Sequence, residues 1–158
     1  MAKTYRRILI FIVILGVLMG LLGKKFAGDQ YVNTEPRKNT ECTLTKRVFD
    51  DADVLTDEEE KNLEALIAEK EELIGGNLVL ITTNDASLDT MEKLRDYAQN
   101  YYKENKLGWD QPIGSGAIYV DDWETRYTWF ATRGIVKDRL SKDNTDYIVD
   151  ETNDIVNK

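Results

Sequence analysis

Carboxylates dominate the side chains able to do chemistry in this chain. Three fall within four positions, Asp50, Asp51 and Asp53, just before a helix start in "RVFDDADVLTDEEEKNLEALIAEKEE". Asp121 and Asp122 close the apolar run "GSGAIYV", Asp85 follows "NLVLITTN", and Asp143 follows "RLSK". Oxygen-rich groups of this kind suit a hard divalent cation, and Ca²⁺ takes about 6–8 oxygens, more than Mg²⁺ asks of a protein. The expected cofactor is therefore a divalent cation, Ca²⁺ ahead of Mg²⁺. Each group also has a plainer reading. Asp50 to Asp53 favour a helix N-terminus electrostatically, and Asp121-Asp122 suit a polar hairpin tip.

Other chemistries are closed off by composition. The chain has no His, which removes Ser-His-Asp and Cys-His catalysis and the commonest zinc sites. Its one Cys, Cys42, lies in a polar stretch and has no partner for an intrachain disulfide. Asp85 and Asp89 have EF-hand spacing, but Thr90 stands where that loop needs Gly. "DDADVL" has the spacing of a D-x-D-x-[TV] phosphatase nucleophile, yet it precedes a helix and has Leu55 at the last position. Trp109, Trp123 and Trp129 read as packing residues rather than a ligand cage. What remains is carboxylates, hydroxyls, Arg/Lys and a bound metal.

The elements that must position these groups follow from periodicity. Thr56 with Glu59 makes a capping box. Leu63, Leu66, Ile67, Leu73 and Ile74 then recur at helical spacing, and Gly75-Gly76 supplies the stop. "NLVLITT" reads as a strand buried on both faces. A second helix capped by Asp89 carries Leu94, Tyr97, Ala98 and Tyr101 inward and ends at Gly108. "GSGAIYVDD" is a strand, Trp123-Glu124 a tight connection, and "TRYTWFATRG" a strand alternating with period two. Ser141 can cap a third helix carrying Tyr147, Ile148, Thr152 and Ile155. The fold class expected is α/β, a three-layer α/β/α sandwich with a small mixed sheet. Ligands in such sheets sit beyond the carboxyl ends of parallel strands. That edge would hold Thr82, Thr83, Asn84, Asp85, Asp121 and Asp122, with Arg126 opening the antiparallel partner.

The chain ahead of this domain has a different character. Lys3, Arg6 and Arg7 precede the uncharged run Ile8–Gly23, and Lys24-Lys25 close it. Residues 1–25 thus read as a signal anchor, or as a signal peptide removed to leave a secreted protein. A spanning helix usually needs about 20 residues, so this 16-residue run would rely on its flanking Lys and Arg side chains snorkelling. The anchor would be one N-terminal transmembrane helix preceding the sandwich, with the N-terminus inside and the domain extracytoplasmic. Residues 26–46 lack periodicity, contain Pro36 and read as a flexible tether. Residues 26–158 carry 16 Lys/Arg against 29 Asp/Glu, a net of −13. So acidic a part suits no nucleic acid, which needs clustered cations, and fits a cation or a basic partner instead.

The opening of the domain resembles TPM domains, the family shared by plant thylakoid-lumen and photosystem II repair proteins, an acetylcholine-receptor modulator and bacterial membrane-anchored proteins. The family opens with V-x-D-x-A-x-x-L-[ST]-x-E-E, and Val48, Asp50, Ala52, Leu55, Thr56, Glu58 and Glu59 stand at those positions. "GSGAIYVDD" and "TRYTWFATRGIVKDRLSKDN" are similar to its later strands and turn. Ser115-Gly116 replaces the usual Asn-Gly, and Thr132-Arg133-Gly134 is a reduced version of the Gly-rich turn. The resemblance runs from about Arg47 to Val156 and implies that residues 47–158 form a C-terminally shortened domain, since the family's last helix usually continues. It also implies an extracytoplasmic α/β/α sandwich, divalent-cation binding and, in plant members, acid phosphatase activity. Two readings follow. One is a cation-responsive, non-enzymatic interaction module for a membrane or envelope protein, anchored in the lipid bilayer through residues 8–23. The other is a metal-assisted phosphatase in which Asp122 and Arg126 would be the catalytic residues. The candidate metal ligands are Asp50, Asp51, Asp53, Asp85, Asp121, Asp122 and Asp143.

Overall fold

The computed structural model describes residues 32–139. Within them the chain runs through β1 (Val48–Asp50), α1 (Asp57–Ile74), β2 (Asn77–Thr83), α2 (Met91–Glu104), β3 (Gly116–Asp122), β4 (Thr128–Arg133) and α3 (Gly134–Arg139). One sheet has the order β1-β2-β3-β4. The first three strands pair in parallel and β4 pairs antiparallel to β3. This is the small mixed sheet of an α/β fold, with one strand, β1, that a three-residue run gave no periodicity to announce.

Each sheet face buries its own core because successive strand residues point to opposite sides. Val48, Leu78, Leu80, Ala117 and Tyr119 meet Leu63, Ile67 and Ile74 of α1 and Val136 of α3. Val79, Ile81, Ile118 and Val120 meet Leu94, Ala98 and Tyr102 of α2. The crossovers β1-α1-β2 and β2-α2-β3 both step one strand in the same direction, yet their helices lie on opposite faces. They therefore have opposite hands, and the strong right-handed preference of parallel crossovers holds for only one of them.

Local chemistry explains the helix ends. Thr56 Oγ1 accepts from the Glu59 N–H at 3.3 Å, and Glu59 Oε2 accepts from the Thr56 N–H at 2.8 Å. At the other end Gly75 takes φ 67°, and its N–H donates to the Glu71 carbonyl. That left-handed cap is strained for any residue with a side chain.

Several expectations need correction. Thr90, not Asp89, caps α2, accepting from the Lys93 N–H, while Asp89 pairs with Lys93 at 2.7 Å. Asn105 ends α2, and Gly108 follows in the next loop at φ 146°. Tyr102 joins Leu94 and Ala98 as the fully buried part of the inner stripe of α2, while Tyr97 and Tyr101 are half-buried against the same core. The connection after β3 extends to Tyr127, so Arg126 does not open β4 but sits in the turn at φ 68°. A helix begins at Gly134, ahead of the expected cap at Ser141. Ser141, the residues after it and the run Ile8–Gly23 lie outside the described residues. Among the described residues no helix is long and apolar enough to cross a membrane.

Residues 33–41, read as part of the tether, are irregular but lie against the domain. Asn33 N–H donates to the Leu73 carbonyl, and Asn39 Nδ2 donates to the carbonyls of Lys106 and Gly108 at 2.7 and 2.8 Å. The Trp109 carbonyl accepts from the N–H groups of Lys38 and Asn39.

Candidate functional site

The carboxyl ends of β1, β2 and β3 form one edge. Asp50, Thr82 and Asp121 are register partners across the three parallel strands and so share the α1 side of the sheet. Asp122 and Thr83 point to the α2 side. The candidate carboxylates are thus divided between two faces.

Those on the strands are engaged by the domain's own donors. Asp50 Oδ2 accepts the Leu55 N–H at 2.7 Å, and Oδ1 accepts the Thr82 hydroxyl. Asp50 therefore pins the loop that leads into α1. Asp121 Oδ1 accepts from Thr128 Oγ1 at 3.0 Å, and Oδ2 accepts from Trp123 Nε1 at 2.8 Å. Asp122 is fully buried. Its Oδ1 accepts the N–H groups of Asp85 and Glu124, both at 3.1 Å, and Oδ2 accepts the Thr125 hydroxyl at 2.8 Å. One carboxylate thereby fixes both the β2–α2 loop and the hairpin turn. A buried charge with this many donors is satisfied rather than poised.

The remaining candidates face outward. Asp51 and Asp53 are exposed, and Asp53 takes φ 52°, a conformation Asp tolerates better than most residues. Asp85 Oδ1 accepts the Ser87 N–H at 2.9 Å. Hydrogen bonds from the Ser87 side chain and backbone hold the Asp85 carboxyl below its ordinary range. The Tyr97 phenol is half-buried and feels the charge of both Asp51 and Asp85. Burial first, and then the two carboxylates, raise its pKa. Arg126 is exposed in the turn.

These positions do not assemble into a preformed metal cage. Among the described residues no three Asp, Glu or Cys side chains stand close enough to hold a metal ion, and Asp143 lies outside those residues. The strand-end set of Asp50, Asp121 and Asp122 fits a cation poorly, because its oxygens serve internal donors on two different faces. Asp51 and Asp53 are left exposed and Asp85 half-exposed, and of these Asp51 and Asp85 both act on the Tyr97 phenol.

Sequence reasoning missed two inward carboxylates. Glu64 Oε1 accepts the N–H groups of Arg47 and Val48 at 2.6 and 2.8 Å, which secures the start of the edge strand. Glu71, 1% exposed, pairs with Arg47 at 2.8 Å and accepts from Asn77 Nδ2 and the Leu78 N–H. The signal for Glu71 was its place on the Leu63–Ile67–Ile74 stripe. The three tryptophans are dispersed as packing residues should be: Trp109 donates to the Glu35 carbonyl, Trp123 to Asp121, and Trp129 packs on the α2 side. Cys42 is half-buried against the same α2-side core.

The model of one protein family, described as the TPM domain, matches residues 48–155. No curated protein matches the chain.

Proposed function

The chain belongs to the TPM domain family, and from that premise we propose that it is a binding module rather than a hydrolase. In this reading Ile8–Gly23 anchors it in a membrane, and the domain works on the extracytoplasmic side, recruiting a membrane or envelope protein. One observation carries the non-enzymatic reading: the strand-end carboxylates, half-buried Asp50 and buried Asp121 and Asp122, are bonded to the domain's own N–H and O–H groups. A phosphatase needs a carboxylate or hydroxyl free to attack, or a metal held to activate water, together with cations to receive the phosphate. Here the edge offers exposed Arg126 amid aspartates, and an acidic rim repels a phosphate dianion.

The outward pair Asp51 and Asp85 supports a cation site of modest affinity. One or two carboxylates with water completing the shell suit the weak regime of extracellular Ca²⁺ modules, with dissociation constants of about 10⁻⁴–10⁻³ M. Ca²⁺ is favoured over Mg²⁺ because the rim is open and Ca²⁺ tolerates irregular geometry.

The test is a Ca²⁺ titration of the full chain in detergent micelles, read by amide chemical shifts, with turnover of p-nitrophenyl phosphate followed alongside. Saturable shifts centred on Asp51 and Asp85, weakened in Asp51→Asn and Asp85→Asn, with no turnover, are expected. Metal-dependent turnover abolished by Asp122→Asn in a protein that still folds would replace this reading with the phosphatase.

A further inference from the structure

The opposite end of the sheet carries a cleft of different character. It lies where β3 begins and β4 ends, Gly116 being the register partner of Arg133, on the side covered by α2. Its volume is about 490 Å³, and its walls include Gln99, Tyr102, Asp110, Ile113, Arg133 and Lys137. That is within the size range of sites that take small molecules or a few peptide residues.

Three features set it apart from an ordinary surface depression. The Arg133 guanidinium lies 5.3 Å from the centre of the Tyr102 ring. Tyr102 is itself 1% exposed and donates to the Gly114 carbonyl at 3.0 Å. A cation resting on a buried ring is held in place without its N–H groups being used. Among the described residues, neither Arg133 nor Lys137 has a carboxylate partner, although the domain around them is strongly acidic. Finally, Ile113 takes φ 59° and is 39% exposed. A β-branched residue in that region is strained, and Ile113 adds an exposed apolar side chain to the lining of a polar cleft.

We propose that this cleft binds a peptide carboxylate flanked by an apolar side chain, with Arg133 and Lys137 receiving the carboxylate and Ile113 packing the apolar group. Charge selects a monoanion. Two cations are offset by Asp110, whose Oδ1 accepts the Ser115 N–H at 2.6 Å. A phosphate dianion would meet that carboxylate and be disfavoured. The planar guanidinium matches a carboxylate with two parallel N–H···O bonds, and the amides of Gln99 and Gln111 supply donors and acceptors for a peptide backbone. The carboxylate can come from a chain terminus or from an Asp or Glu side chain.

Fluorescence polarisation of the full chain in detergent tests this with two dye-labelled tetrapeptides. One has leucine beside a free C-terminus; its amidated twin carries an internal glutamate instead. Saturable binding of either is expected, the tighter of the two naming the source. Arg133→Gln and Lys137→Gln should each weaken it about tenfold, the scale of losing a hydrogen bond to a charged group. Asp51→Asn should leave it unchanged, which separates this site from the acidic rim. Lys137 is exposed, so Lys137→Gln reports on the cleft even if Arg133→Gln unfolds. Failure of both peptides to bind, indifference to Lys137→Gln, or displacement of the peptide by inorganic phosphate at equal concentration would each overturn the proposal.

Discussion

Glu71 shows how one side chain can decide several contacts. It lies in the last turn of α1, where a negative charge opposes the helix dipole, and its carboxylate is almost wholly buried. The position persists because Arg47 Nε, Asn77 Nδ2 and the Leu78 N–H all converge on it at 2.8–2.9 Å. Asn77 in turn accepts from Arg37 at 3.1 Å and from the Gly108 N–H at 2.8 Å. Glu71→Ala should cost about 3–5 kcal/mol, the usual result of removing one partner from a buried ion pair. Glu71→Gln, which keeps an acceptor for Leu78, should cost less. Urea midpoints of the two variants check the order, and equal losses would mean that packing rather than the charge is what counts. The sequence made the strand-end aspartates conspicuous and left Glu71 among a run of similar glutamates. Residue type is readable in a sequence; which carboxylate turns inward depends on donors brought from 24 positions upstream, at Arg47.

At the scale of elements, α1 was legible from end to end because each of its signals is local. Thr56, Glu59, the apolar stripe and Gly75 act within a few residues of one another. Thr56→Ala should therefore destabilise the domain by about 1 kcal/mol, read as a lower melting temperature with unchanged far-ultraviolet dichroism. A change well under that would mean that tertiary packing alone holds the helix start. The second helix was harder to place. Asp89 and Thr90 are both capping types at adjacent positions, and only the packing of Leu94, Ala98 and Tyr102 against β3 and β4 selects Thr90. Strand β1 was missed because its three residues pair with Leu80–Thr82, a partner 32 positions away. Arg126 was misplaced because its φ of 68° marks a turn usually signalled by Gly or Asn, neither of which is present there.

Across the described residues as a whole, charge is organised along the sheet axis: an acidic rim at the carboxyl ends of the parallel strands and the Arg133–Lys137 cleft at the other end. The segment 33–41 runs from α1 to the loop after α2 and joins elements on both faces of the sheet. Its composition is polar and aperiodic, so nothing local distinguishes it from a linker. Its fixed points are long-range, and Asn39 is the principal one, 5% exposed. Besides donating to Lys106 and Gly108, Asn39 Oδ1 accepts the Glu41 N–H at 3.0 Å. If the proposed anchor ends at Gly23, nine residues separate it from Asn33. Their greatest reach is roughly 30 Å at about 3.3–3.6 Å per residue, and detaching the strap would lengthen the leash by a further nine residues. Asn39→Ala removes the donor to two carbonyls, one bond of which is buried, and should cost about 1–3 kcal/mol. Because the strap packs outside both cores, the loss should fall locally first. Hydrogen exchange at the amides of Lys38, Asn39 and Glu41 should accelerate far more than at Leu80 in the central strand β2. Equal acceleration at Leu80 would show that the strap is part of the cooperative fold, and that the domain cannot stand without it.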